Sequence, residues 1–597
     1  MMTSVLGVKL GPQHDTGACV VRTSGNELVG TAIAEERLSR EKHSRAFPEL
    51  SIACCLEQQG LRLSDLDLIV IDTLTPLDLR GDVNDASLVL NPEDVEENQR
   101  FLTQALETCR TVVVNHHLAH AASAYHVSGM DRAAVLVVDG SGSAWPLEDG
   151  PERNMVLGTP GRDSEYRLRL SRNRRRETQT LFAGRGRSLD RVAVSLRSGV
   201  GHFYTWASER VVGFDRHQEG KLMGLAGWGA ASDRSVYPIP TAEMFAGIDT
   251  PILERLQEIG FNPPLRASQE PTDSYYAGLA HWADCVLRMA VRHLASYAMG
   301  ECEERNLCMA GGVALNVVAN RAVRDDLSTD SRLFIQPAAS DMGIPLGCAL
   351  YGYYNILEGD LPFQRELAYL GPDYAAHTID DSMQRQQAQT FSDEDDLLAQ
   401  VVHHLSSNRI VGWYQGASEY GPRALGNRSI LCSPRHPGMK DHLNARVKHR
   451  EAFRPFAPLI RAERAARYFD VDYPVPYMLI NTMVRPAYRD LLPGIAHVDG
   501  SARLQTVGHE QNPRLHRLLQ KYEEIDEFGV LLNTSFNDAG EPIVETVEDA
   551  RRCFERTGID VLVCGNSMAQ KPAAQMTDLP DEIESTEVEL TLAADVA

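Results

Sequence analysis

The chain has 597 residues, of which 43% are hydrophobic and 24% are charged, and its formal net charge at pH 7 is −23. This acidic balance disfavours a general binder of nucleic acid or of anionic membranes, because both partners require a basic surface. No apolar run approaches the roughly 18 residues of a membrane span, no signal-peptide pattern is visible, and the 11 cysteines form no C-x-x-C pair. We therefore expect a cytoplasmic protein of two to four domains with reduced thiols, and neither nucleic-acid nor membrane partners.

The first predicted elements are two strands on either side of a polar turn. The sequences VLGV and CVVR flank the turn GPQHDTGA, which contains His14 and Asp15. This opening resembles that of the actin-like ATPases, whose first turn faces the nucleotide phosphates. An imidazole titrates near neutral pH, so His14 is a candidate general base; the alternative is a turn residue that bonds its own backbone. The charged segment Glu35–Glu49 reads as an exposed loop, with a helix predicted at Leu50–Gln59.

The stretch from Thr111 to Ser143 organises the rest of the interpretation. It predicts a buried strand at Val112–Val114, a helix at His116–His126 and a second buried strand at Ala133–Val138. The helix places His116 and His120 four residues apart, on one face, and the second strand ends at Asp139 and the turn Gly140-Ser141-Gly142. Two imidazoles with a carboxylate suit a metal ion, and the turn suits a phosphate. The alternative is a histidine pair on the surface or in the core.

Further turns between a strand and a helix appear downstream. Lys221 lies in the Gly-rich segment Glu219–Ala226, where it would reach a phosphate, and a long packed helix is predicted at Asp273–Gly300. A strand, the turn Gly311-Gly312 and a helix follow in the sequence LCMAGGVALNVVANRAV, which includes Asn316. Asp341 precedes another helix, where the common role of an aspartate is that of an N-cap.

Residues 358–395 contain clusters of Gly, Pro and Asp and indicate a domain boundary, after which a second α/β block begins. Its basic and polar residues lie beside Gly and Asn turns in an otherwise acidic chain, which favours a phosphate pocket over scattered surface charge. These residues are Arg423, Arg428, Lys448, Arg454, Arg503, Thr534, Ser535 and Asn537. The arginine-rich segment 162–198 has no assigned role, and the last residues form an acidic tail that is poor in aromatics.

Eight motifs, in order along nearly the whole chain, resemble the O-carbamoyltransferases that modify natural products, including the nodulation-factor, cephalosporin and tobramycin carbamoyltransferases. The motifs are HHLAHAASA, VVDGSGS, EGKLMGLA, AGGVALN, SDMG, EYGPRALGNRSIL, KHREAFRPFAP and LLNTSFN. The resemblance implies an α/β protein with two lobes. Residues 1–365 would form an actin-like (ASKHA) ATPase-type lobe with duplicated RNase H-like halves, residues 390–575 a YrdC-like α/β domain, and residues 576–597 the acidic tail.

The same resemblance implies the activity and the roles of the residues. ATP and carbamoyl phosphate would give a carbamoyl-adenylate in the second lobe, and the carbamoyl group would pass to a hydroxyl of a small molecule. The implied catalytic residues are His14, Asp15 and Lys448, and the implied metal ligands, for iron or another divalent cation such as magnesium, are His116, His120, Asp139 and Asp341. The implied nucleotide and carbamoyl phosphate contacts are Gly140, Ser141, Gly142, Lys221, Gly311, Gly312, Asn316, Arg423, Arg428, Arg454, Arg503, Thr534, Ser535 and Asn537.

Two other classes of function stay open from the sequence. One is a tRNA-modifying enzyme of the threonylcarbamoyl type, which the charge of −23 disfavours. The other is a non-enzymatic, nucleotide-dependent switch. The identity of the acceptor hydroxyl depends on variable loops and is not predicted. A two-fold dimer is the expectation from the frequency of such assemblies.

Overall fold

A computed structural model describes residues 3–10, 14–72, 100–101, 104–105, 107–145, 154–158, 175–229, 244–261, 274–363, 366–576 and 579. The acidic tail at 576–597 lies outside the described residues except for Met576 and Leu579. The first part of the arginine-rich segment, residues 162–174, also lies outside them. Among the described residues, no helix is long and apolar enough to cross a membrane.

Six short strands form the first sheet. They are β1 (Ser4–Lys9), β2 (Gly17–Ser24), β3 (Glu27–Ala34), β4 (Leu68–Asp72), β5 (Thr111–Val114) and β8 (Asn154–Gly158), in the order β3-β2-β1-β4-β5-β8. The meander of β1, β2 and β3 is antiparallel, whereas β1, β4 and β5 are parallel. The three parallel strands are buried along their whole length, as their continuous apolar sequences predict for strands covered on both faces.

The second sheet repeats this arrangement. Its strands are β6 (Arg132–Val138), β10 (Gln179–Arg185), β11 (Ser188–Ser195), β12 (Leu307–Ala310) and β13 (Leu333–Ile335), in the order β11-β10-β6-β12-β13. Strands β6, β10 and β11 form an antiparallel meander, and β6, β12 and β13 are parallel. A separate pair, β7 (Ala144–Trp145) and β9 (Arg175–Arg176), lies outside both sheets. The two large sheets therefore share one topology.

Helices cover and join the two sheets, and together they form what we call the first lobe. The helices are Glu35–Ser39, Glu49–Gln59, His116–Tyr125, Val200–Trp206, Glu219–Ala226, Ile252–Glu258, Ser274–Cys302, Val317–Asp326 and Ile344–Tyr351. Helices His116–Tyr125 and Ile344–Tyr351 pack against each other within a core that includes side chains from both sheets. Their approach is close because Gly347 has no side chain: a Cβ atom there would lie 1.9 Å from the carbonyl oxygen of Ala119.

The second lobe is built on an eight-stranded mixed sheet. Its strands are β14 (Gln389–Thr390), β15 (Val411–Tyr414), β16 (Arg428–Cys432), β17 (Ala457–Arg461), β20 (Gln505–Val507), β21 (Leu531–Ser535), β22 (Val561–Cys564) and β23 (Ser567–Gln570), in the order β14-β23-β22-β15-β16-β21-β17-β20. A small pair, β18 (Thr482–Met483) and β19 (Ser501–Ala502), lies beside it. Strand β15 has a core on each face, since Trp413 packs into one cluster and Tyr414 into the other.

The helices of the second lobe cover both faces of this sheet. They are Ala376–Gln384, Glu394–Ser406, Met439–Arg446, Ala465–Tyr468, Pro486–Arg489, Pro513–Asp526 and Val547–Arg556. Helix Ala376–Gln384 contacts β22 and β23, and strand β14 pairs with β23. The second lobe therefore begins before residue 390, inside the stretch that the Gly, Pro and Asp clusters marked as a boundary.

One prediction of local structure is wrong. The charged segment Glu35–Glu49 was expected to be exposed, but its first residues form the helix Glu35–Ser39, and Glu35, Glu36 and Arg37 are buried. Glu35 is buried within the first lobe, where it accepts hydrogen bonds from the backbone and hydroxyl of Ser51. Arg37 and Arg40 lie at the contact between the lobes: Arg37 donates to the carbonyl of Glu419 at 3.0 Å, and Arg40 donates to the carbonyl of Ile543 at 2.7 Å. Both guanidinium groups also lie within 4 Å of second-lobe carboxylates.

The other predicted elements around the site are confirmed, and their ends lie within two residues of the predicted bounds. The strands at Val112–Val114 and Ala133–Val138, and the helix that starts at His116, are present. The long helix spans Ser274–Cys302. The Gly-rich segment with Lys221, for which the sequence predicted no helix or strand, forms the helix Glu219–Ala226.

Substitution of Gly347 by alanine tests the close packing of the two central helices. The added methyl group would meet the carbonyl of Ala119 and force the helices apart, so we expect Gly347→Ala to lower the free energy of unfolding by roughly 1–3 kcal/mol. Gly300→Ala is the matched control, because Gly300 lies in a helix with no atom within 4 Å of the new Cβ; it should be neutral or stabilising by up to about 1 kcal/mol. Urea unfolding of both variants measures the difference, and equal midpoints would contradict the packing.

Candidate active site between the lobes

A cavity of about 1260 Å³ lies between the lobes, and both lobes contribute to its wall. A cleft of this size that brings together charged groups from separate elements is the usual form of an active site. The predicted site residues that line it are His14, Asp15, Asp139, Gly140, Ser141, Lys221, Gly312, Asn316, Asp341, Arg423, Lys448, Arg454, Ser535 and Asn537.

Topology explains why the first-lobe residues meet. The parallel strands β1, β4 and β5 end at Lys9, Asp72 and Val114, and the residues that follow β6 and β12 begin with Asp139 and Gly311. The carboxyl ends of parallel strands share one edge of a sheet, which is where ligands bind in open α/β sheets. The repeated topology thus directs two such edges toward one cavity.

Four buried side chains form a compact cluster at the base of the cavity. His116 Nε2 lies 3.8 Å from Asp139 Oδ2 and 3.4 Å from Asp341 Oδ1, and His120 Nε2 lies 3.6 Å from the same oxygen of Asp341. One ligand atom from each of the four residues lies within 4.8 Å of the others. We call this group the His–Asp cluster.

The polar atoms of the His–Asp cluster lack partners of the usual kind. Among the described residues, Nε2 of His116 and both ring nitrogens of His120 are buried without a hydrogen-bond partner. Burial alone would raise the pKa of Asp341, but the nearby Lys9 and His116 hold it well below the usual range, and His116 and His120 likewise lower the pKa of Asp139. Two ionised carboxylates beside two unsatisfied imidazoles fit a divalent cation.

Asp72, at the end of β4, orients one of these imidazoles. His116 Nδ1 lies 2.9 Å from Asp72 Oδ2, and both side chains are almost fully buried. A carboxylate can only accept, so Nδ1 carries a proton toward Asp72, and Nε2 is the ring nitrogen that faces Asp139 and Asp341 and would ligate an ion held there. This is the carboxylate–histidine arrangement common behind metal ligands.

The turn after β6 and the turn after β12 are joined through Asp139. Its Oδ1 accepts a hydrogen bond of 2.8 Å from the Gly312 backbone N–H. Gly311 has φ of +92°, and a Cβ atom there would lie 2.3 Å from the Val138 carbonyl oxygen, so only glycine fits. The helix that follows begins with the N-cap Asn316, which accepts from the N–H groups of Val318 and Ala319. The predicted turn and helix are therefore confirmed as structure.

A second cluster stands above the first, on the same cavity wall. Asp15 is buried, and its two oxygens lie 3.1 Å from His14 Nδ1 and 2.9 Å from His43 Nδ1. The His217 ring lies 4.3 Å from His14 and 5.2 Å from His43 between centroids. Asp15, His43 and His217 have positive φ, and strained backbone of this kind gathers at functional sites. The structure thus adds two histidines to the predicted His14 and Asp15.

Two imidazoles of this second cluster have pKa values shifted in opposite directions. Burial lowers the pKa of His14, but the hydrogen bond to Asp15 and the charge of Asp341 outweigh it, and the net pKa is raised. For His217, partial desolvation and the neighbouring His14 and His43 lower the pKa to about 4. His14 is therefore the more basic group, and His217 stays neutral at pH 7.

Cations dominate the second-lobe wall. Burial, and then the charge of the nearby Arg454, lowers the pKa of Arg423 to about 10 and that of Arg450 to about 9. Arg503 does not line the cavity, but burial and then the charge of Arg423 also lower its pKa well below the usual range. Each shift records a positive charge that is desolvated next to other positive charges, a situation that a bound polyanion would relieve.

Lys448 lies among these arginines and is held by neutral oxygens. Its Nζ donates to the carbonyl and hydroxyl of Ser535 at 2.8 and 3.1 Å, and to the carbonyl and side-chain oxygen of Asn537 at 2.7 and 2.5 Å. Burial, and then the charge of Arg450, lowers its pKa well below the usual range. Ser535 and Asn537 therefore fix the position of this amine at the cavity wall.

Some of the predicted site residues lie elsewhere. Arg428 is fully buried beneath the wall, where its guanidinium stacks 3.6 Å from the Tyr414 ring centroid, donates to the Gln415 carbonyl at 2.7 Å and faces Glu545 at 4.0 Å. The structure therefore places Arg428 in the core and not in the pocket. Thr534 is a buried member of β21 and does not line the cavity.

Gly142 does not line the cavity, and Lys221 lines it with its amine already paired. The Gly142 N–H donates to the carbonyl of Glu177 at 2.7 Å, and this glycine packs against His117. Lys221 does line the cavity, but its amine is paired with Glu451 of the second lobe at 2.5 Å. A phosphate bound by Lys221 would have to compete with this carboxylate.

Comparison with known proteins assigns the family. The chain matches a model described as the carbamoyltransferase N-terminus over residues 4–81 and 97–350, and one described as the carbamoyltransferase C-terminus over residues 402–571. The chain belongs to the carbamoyltransferase family. The family inferred from the eight motifs is confirmed, and with it the assignment of the chain as a carbamoyltransferase.

Several relatives are similar over long stretches. An uncharacterized protein of Synechocystis sp. is 32% identical over 96% of this chain and 97% of its own length. Nodulation protein NolNO of Sinorhizobium fredii is 31% identical over 95% of this chain and 80% of its own. The 3'-hydroxymethylcephem-O-carbamoyltransferase of Amycolatopsis lactamdurans is 33% identical over 59% of this chain and 65% of its own.

Similarity to solved structures is lower. Full-length HypF in its phosphate- and nucleotide-bound form is 14% identical, with a TM-score of 0.36 over 61% of this chain and 56% of that one. The ROK hexokinase of Thermus thermophilus is 17% identical, with a TM-score of 0.27 over 60% of this chain and all of that one. Scores this low assign no ligand to this carbamoyltransferase.

Sequence reasoning missed several residues that the structure places at the site of this carbamoyltransferase. They are Lys9, Asp72, His43 and His217. Asp72 could have been found from the pattern that pointed to Asp139, because each aspartate stands at the end of a buried apolar strand. The other residues come from segments distant in sequence, and only the tertiary fold brings them together.

Substitution by methionine should affect stability differently at Arg423, which lines the cavity, and at Arg428, which lies in the core. Arg428→Met should lower the free energy of unfolding by roughly 3–5 kcal/mol, because it leaves the buried Glu545 with Arg37 as its one cation among the described residues and removes the donor to the Gln415 carbonyl. Arg423→Met should not lower it, because Arg423 is a buried cation whose Nε has no hydrogen-bond partner among the described residues. Urea unfolding of the two proteins measures the contrast. A loss at Arg423 as large as that at Arg428 would contradict these placements.

Proposed function

We propose that the chain is an ATP-dependent O-carbamoyltransferase. It would move the carbamoyl group of carbamoyl phosphate, through a carbamoyl-adenylate, to a hydroxyl of a small natural product. The observation that carries the proposal is the presence, in one cavity, of a dense group of half-buried arginines around the buried Lys448 from one lobe and the His–Asp cluster from the other. The first belongs to a site for polyphosphates, and the second to a site for a metal and a base.

The division of labour follows the lobes. We infer that the first lobe is of the actin-like type with duplicated RNase H-like halves, an inference supported by the repeated sheet topology, and that the second is YrdC-like. In the second lobe, water would cleave carbamoyl phosphate to carbamate and orthophosphate. A carbamate oxygen would then attack the α-phosphorus of ATP and displace pyrophosphate, so that carbamoyl-adenylate forms.

The second-lobe residues would bind and stabilise the phosphate groups during formation of the carbamoyl-adenylate. Lys448 and the arginines Arg423, Arg454 and Arg503 would bind the phosphates and the departing pyrophosphate, whose charge they match. Ser535 and Asn537 hold the Lys448 amine in place. Charge stabilisation by groups that are already oriented is the main contribution a protein makes to such transfers.

The first-lobe residues would carry out the transfer to the acceptor. His116, His120, Asp139 and Asp341 would hold a divalent cation, and a donor set of two imidazoles and two carboxylates suits iron better than magnesium, which prefers oxygen alone. When bound, such an ion would supply Lewis-acid stabilisation of the adenylate phosphate that leaves as the carbamoyl–phosphate anhydride breaks. Gly140, Ser141, Gly312 and Asn316 would line the nucleotide site beside it.

His14 is the proposed base for the acceptor hydroxyl. Its Nδ1 is occupied by Asp15, so its Nε2 is the atom that would accept the proton, and its raised pKa makes it a stronger base than a free imidazole. The leaving group is adenylate phosphate, which departs as AMP and needs no proton. No covalent intermediate on the protein is required.

The activation step is tested without any acceptor. Protein, carbamoyl phosphate, ATP and an iron or magnesium salt are incubated, and mass spectrometry measures carbamoyl-adenylate and pyrophosphate. We expect both products from the wild type and roughly 100-fold less from Lys448→Met. The control is Lys521→Met, since Lys521 pairs with Asp395 away from the cavity. Formation of ADP instead would favour a kinase, tight ATP binding without turnover would favour a switch, and retention of tRNA on a filter would favour a tRNA-modifying enzyme.

The role of Asp15 in tuning His14 is tested by NMR titration. Because the carboxylate stabilises the imidazolium, Asp15→Asn should lower the pKa of His14, and the imidazole should then lose its proton at a lower pH. The Cε1–H signals of the histidines, assigned with His14→Gln, measure the change. Asp326→Asn is the control, as Asp326 pairs with Arg292 on the surface of the same lobe. An unchanged His14 titration in Asp15→Asn would show that Asp15 does not set its basicity.

A further inference from the structure

Lys9 is a fully buried lysine at the end of the central strand β1. Lysine is almost never buried without a partner, because its ammonium group loses its hydration. Its Nζ donates to the backbone carbonyl of His14 at 2.6 Å and lies 3.3 Å from Asp341 Oδ2. This one amine therefore touches the loop that carries the proposed base and a member of the His–Asp cluster.

The two oxygens of Asp341 face different partners. Oδ1 lies 3.4 Å from His116 Nε2 and 3.6 Å from His120 Nε2, whereas Oδ2 lies against the Lys9 amine. An ion held between the two imidazoles would meet Oδ1 first. The second oxygen, which would otherwise be free to chelate the same ion, is occupied by a hydrogen-bond donor with a positive charge.

We propose that Lys9 is a positioning residue that keeps Asp341 a one-oxygen ligand and couples the metal centre to the His14 loop. This inference rests on the proposed function, in that it takes the His–Asp cluster to be a metal site. One-oxygen ligation leaves a coordination position open, and catalytic metal sites keep such a position for substrate. Lys9 thereby reserves room for a phosphate oxygen.

Removal of Lys9 has two consequences that differ from those of a simple loss of packing. Without the donor, Oδ2 is free to bind the ion as well, so the coordination number rises. Without the buried positive charge, the repulsion between Lys9 and the ion disappears, so the ion binds more tightly, on the order of tenfold. A residue with only a structural role would weaken metal binding or leave it unchanged.

The experiment uses the full-length protein, stripped of metal and titrated with Co²⁺ alone. Elemental analysis gives the stoichiometry, competition with a chelator gives the affinity, and visible absorption reports the coordination number, since the bands weaken as it rises. We expect one Co²⁺ per wild-type chain, and in Lys9→Met one Co²⁺ with tighter binding and weaker bands. Lys521→Met serves as the control and should match the wild type.

A second variant separates the charge of Lys9 from its hydrogen bond. Lys9→Gln keeps a donor near Oδ2 and removes the charge, so it should bind Co²⁺ more tightly than the wild type while keeping the wild-type absorption. If Lys9→Met does not fold, the affinity of Lys9→Gln for Co²⁺ still tests the role of Lys9, and an affinity equal to that of the wild type would overturn it.

The possible failures are distinguishable. No Co²⁺ on the wild type, or Co²⁺ that survives His120→Ala unchanged, overturns the metal site of the proposed function. Co²⁺ bound by the wild type and lost in His120→Ala, but with equal affinity and equal absorption in the Lys9 variants, overturns the role of Lys9 alone.

Discussion

Incompletely compensated buried charge is the constraint on which this structure depends. On one side of the cavity, Arg423 and Arg450 are desolvated next to Arg454 and their pKa values fall. On the other side, two ionised aspartates face imidazole nitrogens that lack hydrogen-bond partners among the described residues. Both arrangements cost stability in the free protein. Such costs persist in proteins at sites where a ligand of the opposite charge is bound, and here the two sites share one cavity.

The fold keeps these costly groups in place by anchoring them to its most rigid parts. The first-lobe residues lie at the ends of buried parallel strands, and the helix that carries His116 and His120 is wedged against helix Ile344–Tyr351. In the second lobe, the amine of Lys448 is held by four oxygens of Ser535, the last residue of β21, and of Asn537. Arg37 and Arg40 join the lobes through backbone carbonyls. The cavity therefore has fixed walls on both sides, which is what pre-oriented electrostatic catalysis requires.

The sequence predicted the parts of the site that depend on local rules. The strand, helix and strand around His116 follow from apolar periodicity, and Gly311 follows from the need for positive φ in a tight turn. What it could not predict depends on distant contacts. Arg423 and Arg428 look alike in the motif EYGPRALGNRSIL, and only the fold shows that one faces the cavity and the other stacks on Tyr414. No sequence pattern around Lys9, His43 or His217 marks them as site residues, because the groups that they contact at the site lie far away in the chain.

The most direct test of the account is the exchange of radiolabelled pyrophosphate into ATP, measured with carbamoyl phosphate present and no acceptor. Exchange reports reversible cleavage between the α- and β-phosphates, which is the bond that adenylation breaks and a kinase leaves intact. The account predicts exchange that requires carbamoyl phosphate. Exchange that is absent, while ATP is converted to ADP and orthophosphate, would contradict the assignment of the buried cations to carbamoyl activation.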